Sequence, residues 1–271
     1  MTIPKFRFKN KIIFSGFILL FSLLLISWIF ASNFFEIMTM DYNAPDLVQG
    51  NHWDMRMEFL KVILTWENLV DSSMYHLINF MPIFAVIPTL VFFDEKNYLF
   101  SFSKNKLKSI KSYLCSSILF YSLLCGFFTS IVFTLFYSLG GVFVYRSLEN
   151  IGGFLAIFSK DFYVNHPYLV FLIMIWTVFF SASFVLGFLL CTLMILFNKR
   201  YQAIIALLTI TFSFSVIDSI LGLNFLNIYQ MFLAFNTIKQ TLFIFLPVVP
   251  FFILALVFYL IGCKKVEEGL A

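Results

Sequence analysis

Residues 12–30 read IIFSGFILLFSLLLISWIF, nineteen positions without a charged side chain. About 20 consecutive apolar residues carry an α-helix across the hydrocarbon layer of a bilayer. The run from Ile12 to Phe30 therefore has the length of a membrane span, beyond what a core helix needs. Lys5, Arg7, Lys9 and Lys11 precede it. A basic start before an apolar run is also how a secretory signal begins. A signal core, however, is about 7–15 residues long and ends in a small-x-small cleavage site. The run here is longer and no clear site of that kind follows, so the expectation is an uncleaved first span.

The same pattern recurs along the chain. Apolar segments lie at about 12–33, 74–93, 114–138, 167–197, 202–222 and 241–262. Period-two alternation, the mark of a barrel strand, is absent, and helices are the other way to satisfy the backbone in lipid. Hydrophobic residues make up 61% of the 271 positions and charged residues 12%, about half the charged share of a soluble domain. The expected fold is an all-α membrane protein of six transmembrane helices, with residues 1–271 forming one domain. Phenylalanine alone supplies 40 positions. An AT-rich genome enriches that residue, so an aromatic by itself does not mark a binding site.

Charge sets the expected orientation. With the N-terminus inside, the inner segments 1–11, 94–113, 198–201 and 263–271 hold 13 of the 18 Lys and Arg residues. The outer segments hold only Arg56, Lys61, Arg146, Lys160 and Lys239. This bias predicts an N-in, C-in topology. The net charge of +4 expresses that asymmetry and gives no sign of a nucleic-acid surface.

The outer segments carry their own signals. Met55 to Leu64 has the pattern of an amphipathic helix at the interface. Gly140-Gly141 and Gly152-Gly153 permit turns, which suggests a short hairpin in 139–166. Residues 223–240 are apolar yet too short to span twice, so a re-entrant or interfacial helix fits them. Pro82 and Pro88, and likewise Pro247 and Pro250, are expected to bend or interrupt the second and sixth spans.

A search for catalytic chemistry returns little. No Gly-x-x-x-x-Gly-Lys-Ser/Thr phosphate loop is present. His52, His76 and His166 form no His-x-x-x-His pair, and Cys115, Cys125, Cys191 and Cys263 match no zinc spacing. Ser181 and Ser183 lack the surroundings of a nucleophile. Asp218 is the one carboxylate deep in a late span, where it is costly in lipid. Two readings of it stand: a pathway-lining or helix-contacting residue, and a residue hydrated near the outer interface, since span five ends near Gly222.

The most informative stretch lies between spans two and three. Asp94-Glu95-Lys96 follows the second span and is expected to cap its end. Lys104, Lys106, Lys108 and Lys111 then accompany Leu107, Ile110 and Leu114 at helical spacing. Attraction of these lysines to anionic headgroups is the plain alternative. At this point the chain resembles the permease subunits of ABC-2 type transporters, which have six spans with both ends inside. Their Glu-Arg-x-x-Gly-Thr pattern falls where Phe93-Asp94-Glu95-Lys96-Asn97 stands, and the helix that follows resembles residues Ser103 to Leu114. The usual glycine is missing here, with Asn97 and Tyr98 in its neighbourhood.

The resemblance implies that Asp94, Glu95 and Lys96, flanked by Lys104, Lys106, Lys108 and Lys111, contact a cytoplasmic ATP-binding subunit. It implies a second permease copy or paralogue in the complex, with ATP and Mg held by the partner and no cofactor in this chain. The chain would then be a non-catalytic subunit of an exporter in the bacterial cytoplasmic membrane, moving an amphipathic or hydrophobic cargo such as a peptide, lipid or drug. A membrane-embedded immunity or structural protein that acts by partner binding is the alternative. A secondary transporter fits less well, because such proteins usually show more spans and detectable repeats.

Overall fold

The computed structural model describes residues 10–42, 44, 51–102, 110–144, 160–223, 225–233 and 241–270. Among them there is no β-strand. Six helical stretches are long and apolar enough to cross a membrane: Lys11–Ala31, Ile78–Asn97, Lys111–Phe143, Pro167–Leu196, Arg200–Leu221 and Phe243–Val266. They match the six apolar segments of the sequence and are termed spans one to six. Multi-pass membrane character follows from their length and composition.

The centre of the bundle is set by hydrophobicity. Span four follows the short α8 (Lys160–Asn165) and combines α9 (Pro167–Met174), a π-helical turn (Ile175–Phe179) and α10 (Phe180–Leu196). From Val185 to Ile195 every residue is buried. A helix that is apolar all round belongs inside, and α10 packs mainly on α7 (Ile110–Phe143) and α13 (Val248–Leu270). Span one, formed by α1 (Asn10–Ala31), span five, formed by α11 (Arg200–Leu221), and span six leave much of their apolar surface exposed, as lipid-facing helices do. An aromatic series ties the interior together. Phe133 and Phe179 meet edge to face with centroids 4.9 Å apart, and Phe179 continues to Phe232 at 5.5 Å.

Span two is broken, as its prolines predict. It runs through two 3₁₀ turns, Ile78–Phe80 and Ile87–Thr89, separated by the short α5 (Met81–Phe84), before regular helix resumes in α6 (Leu90–Phe102). A proline lacks the backbone N–H and crowds the preceding turn, so the helix re-forms only beyond Pro88. Pro247 likewise lies between the 3₁₀ turn Thr241–Phe245 and α13.

At the end opposite Asp94, the chain after span one forms α2 (Phe34–Thr39), α3 (His52–Ile63) and α4 (Trp66–Tyr75). The helix expected over 55–64 is therefore present, and Asn51 caps it by accepting a bond from the Trp53 N–H at 3.2 Å. The helix α4 lies on α1, where the Ser27 hydroxyl donates to the Ser72 carbonyl at 2.9 Å. The segment after span five folds into α12 (Tyr229–Phe232), with Ile228, Met231 and Phe232 buried in the bundle. Of the re-entrant or interfacial helix expected in 223–240, the described residues show the helical turn Tyr229–Phe232.

The expected turn at Gly140-Gly141 is not found. Both glycines sit within the last turn of α7, which runs unbroken to Phe143. Their role is close packing. A Cβ on Gly140 would lie 2.5 Å from Leu69 Cδ2, and one on Gly141 would lie 2.8 Å from Trp66 Cη2. Absence of side chains here lets α4 seat Trp66 and Leu69 against the end of α7, a small-residue device common between membrane helices. Gly152-Gly153 lies outside the described residues.

Candidate functional site

Asp94, Glu95 and Lys96 do not end a helix; α6 continues through them to Phe102. Three successive residues on a helix point in three directions about 100° apart. Each of the three accordingly finds a different neighbour, and together they gather spans two to five at one end of the bundle.

Glu95 turns toward α7 and is 0% exposed. Its Oε1 accepts from the Tyr113 hydroxyl and from Ser117 Oγ at 3.2 Å, and its Oε2 accepts from Tyr121 Oη at 2.6 Å. Tyr113, Ser117 and Tyr121 recur every four residues, which places their hydroxyls on one stripe of α7. A carboxylate buried among apolar helices is tolerated when its oxygens are met by donors. Here three hydroxyls do that.

Lys96 points the other way and is 4% exposed. Its Nζ donates to the carbonyls of Met194 at 2.6 Å and Phe197 at 3.2 Å. Met194 lies in the last turn of α10 and Phe197 is the residue that ends it, where a helix leaves backbone acceptors without partners and carries partial negative charge. Lys265 of span six serves the same turn, donating to the Leu196 carbonyl at 2.8 Å. Two lysines from different spans therefore cap the central helix.

Asp94 pairs with Arg200 at the first turn of α11. The side chains are 24% and 40% exposed respectively, so screening by water keeps this pair to no more than about 1 kcal/mol. The Arg200 guanidinium and the Lys96 ammonium both stand over the Phe93 ring, at 5.3 and 5.2 Å from its centroid. Lys111 is exposed at the start of α7, and its carbonyl accepts from Tyr259 Oη at 3.4 Å. Lys104, Lys106 and Lys108 lie outside the described residues.

The structure thus sorts the charged residues expected at a partner contact. Asp94 and Lys111 reach the surface, whereas Glu95 and Lys96 are turned into the bundle. Tyr113, Ser117, Tyr121, Arg200 and Lys265 join the site without having been singled out in the sequence. The four-residue spacing of the α7 hydroxyls is the signal that could have found three of them.

Asp218 is 3% exposed, yet it serves its own chain. Its Oδ1 accepts from the backbone N–H groups of Phe225 at 2.9 Å and Leu226 at 2.8 Å. Gly222, in the left-handed region at φ 62°, ends α11 and starts that reversal. The carboxylate holds the turn that leads α12 back into the bundle.

This arrangement anchors helices to one another. Among the described residues no three His, Cys, Asp or Glu side chains gather as metal ligands do. His52 and His76 are exposed, and His166 lies against Phe162. Compared with family models, with curated proteins and with solved structures, the chain matches none.

Proposed function

We propose that the protein is the membrane-spanning permease subunit of an ABC-type exporter, with both termini in the cytoplasm of a bacterial cell and energy supplied by a separate ATP-binding subunit. The observation that supports this reading best is the convergence of four spans on Asp94-Glu95-Lys96 immediately before the lysine-rich segment 104–111. A force applied by a partner at that segment enters α6 and α7 together. Glu95 passes it to α7, Lys96 passes it to the end of α10, and Asp94 passes it to α11. In this reading the contact is made by Asp94, Lys111 and the neighbouring lysines, while Glu95 and Lys96 transmit the movement. Coupling of this kind requires two bundle states that the partner favours differently, and no catalytic side chain in the permease. The cargo would be an amphipathic or hydrophobic peptide, lipid or drug, and a second six-span subunit would complete the pathway.

The test is isolation of the full chain in mild detergent with identification of its partners. An ATPase should co-purify, and a variant with Lys104, Lys106, Lys108 and Lys111 all changed to Glu should lose it. Glu95→Gln should keep the ATPase bound but lower cargo-stimulated ATP hydrolysis. Recovery of a stable partner without ATPase activity would sink the exporter reading and favour an immunity or structural role.

A further inference from the structure

Four cations from three spans gather where α10 ends. Lys96 and Lys265 donate to carbonyls of the same turn, Lys96 at Met194 and Phe197 and Lys265 at Leu196. Arg200 shares the Phe93 ring with Lys96 and pairs with Asp94. Lys199 precedes it, exposed, with its ammonium 5.8 Å from the Tyr201 ring centroid. Among the described residues, Lys199 and Lys265 meet no carboxylate. The negative charge nearby does not balance the four. Asp94 and Glu95 supply at most one charge each, and a helix C-terminus carries about half a negative charge. About 1.5 positive charges are therefore in excess at this end of α10.

That excess lies at the edge of apolar surface. Ile205 on span five and Ile261 on span six are exposed, about one helical turn from Arg200 and from Lys265 respectively. Val257 and Leu260 continue the exposed side of span six. Tyr201 is exposed too, and tyrosine concentrates at the headgroup level of a membrane. We propose that Lys199, Arg200 and Lys265 bind the phosphodiester of an anionic glycerophospholipid whose acyl chains lie on the apolar sides of spans five and six. A phosphodiester brings one negative charge and free oxygens that accept from ammonium and guanidinium groups together. A zwitterionic lipid carries its own cation and leaves the excess in place. Free phosphate has no chains to lay on the apolar sides. The inference needs only that the six helices lie in a bilayer and stands apart from the export reading.

The test is native mass spectrometry of the full chain in detergent, delipidated and then supplied with equal amounts of dioleoyl phosphatidylglycerol and dioleoyl phosphatidylcholine, or with inorganic phosphate alone. The unaltered protein should retain phosphatidylglycerol in preference to phosphatidylcholine. Each cation lost at an anionic surface corresponds to roughly a fivefold fall. Lys199→Gln with Lys265→Gln should therefore lower phosphatidylglycerol retention by about thirtyfold and leave phosphatidylcholine unchanged. Lys9→Gln with Lys11→Gln removes the same charge ahead of span one and should stay within about twofold of the unaltered protein. An equal fall in both double variants would mean that only the general positive surface is felt, and would overturn the proposal. Binding of phosphate without a preference for the anionic lipid would overturn it as well. So would loss of a bound acidic protein from the Lys199 and Lys265 variant with lipid retention unchanged, which would assign these cations to a protein partner. Lys199 touches only the Tyr201 ring among the described residues, so Lys199→Gln alone should fold normally and show the fivefold fall even if the double variant unfolds.

Discussion

Removing the Glu95 carboxylate is the most direct way to test whether the polar cluster anchors α6 to α7. In Glu95→Ala, the hydroxyls of Tyr113, Ser117 and Tyr121 lose their acceptor. Ser117 and Tyr121 are 0% exposed, so neither can turn to water. Each buried donor left unmet costs about 1–3 kcal/mol. Relief from burying a carboxylate works in the other direction. A net loss of about 3 kcal/mol follows from these opposed effects. Glu95→Gln keeps an acceptor oxygen and the shape, so its loss should be about 1 kcal/mol. At roughly 2–4 °C per kcal/mol for a chain approaching this size, alanine should lower the unfolding temperature by about 6–12 °C and glutamine by about 2–4 °C.

Tyr121→Phe removes one of the stranded hydroxyls. Alone it should cost about 1 kcal/mol, but added to Glu95→Ala it should cost nothing more, a coupling of about 1 kcal/mol. The measurement is thermal unfolding of the full chain in detergent at one fixed scan rate, because irreversible unfolding makes the midpoint depend on that rate. Equal shifts for alanine and glutamine, or strict additivity with Tyr121→Phe, would refute the anchoring argument.

Other perturbations separate strong features from weak ones. Gly141→Val should force Trp66 out of its seat and lower the unfolding temperature by about 2–12 °C, since overpacking costs ~1–3 kcal/mol; an unchanged midpoint would show that α4 yields freely. Arg200→Ala should shift the midpoint by less than about 3 °C, because its pair with Asp94 is partly exposed. Asp218→Asn retains an acceptor for the Phe225 and Leu226 N–H groups and should stay within about 1 kcal/mol of the unaltered protein, whereas Asp218→Ala should lose about 2 kcal/mol, read as a difference in thermal midpoint. In a cysteine-free background, a cysteine at Lys106 should react with an impermeant maleimide only after the cells are opened, and one at His52 should react in intact cells. The reverse pattern would invert the topology.

Much of the fold could be read in advance because lipid imposes a simple rule: a run of about 20 apolar residues makes a helix wherever it occurs. The breaks in span two were equally open to reading, since Pro82 and Pro88 act through local geometry that no tertiary contact can restore. Gly140-Gly141 misled because glycine pairs serve turns and close helix contacts alike, and only the presence of Trp66 and Leu69 selects the second use. The direction of Glu95 and Lys96 was hidden for a related reason. A charged triplet after an apolar run has the pattern of a solvated helix end. Whether it faces inward depends on hydroxyls about 20 residues later and on helix-end carbonyls about 100 residues later. Asp218 was visible as an anomaly, but its partners are backbone N–H groups, which leave no mark in the order of side chains.

The length of α7 has a mechanical consequence. Its 34 residues extend about 51 Å at 1.5 Å per residue, well beyond the ~30 Å of hydrocarbon it crosses. No proline interrupts it. One end carries the hydroxyls that hold Glu95, and the other carries the glycines that seat Trp66 and Leu69. A tilt of about 10° around its midpoint would displace each end by about 4 Å in opposite senses. If α7 moves as one rod, it acts as a seesaw across the membrane, and a movement at the Glu95 end is carried to α4 at the other.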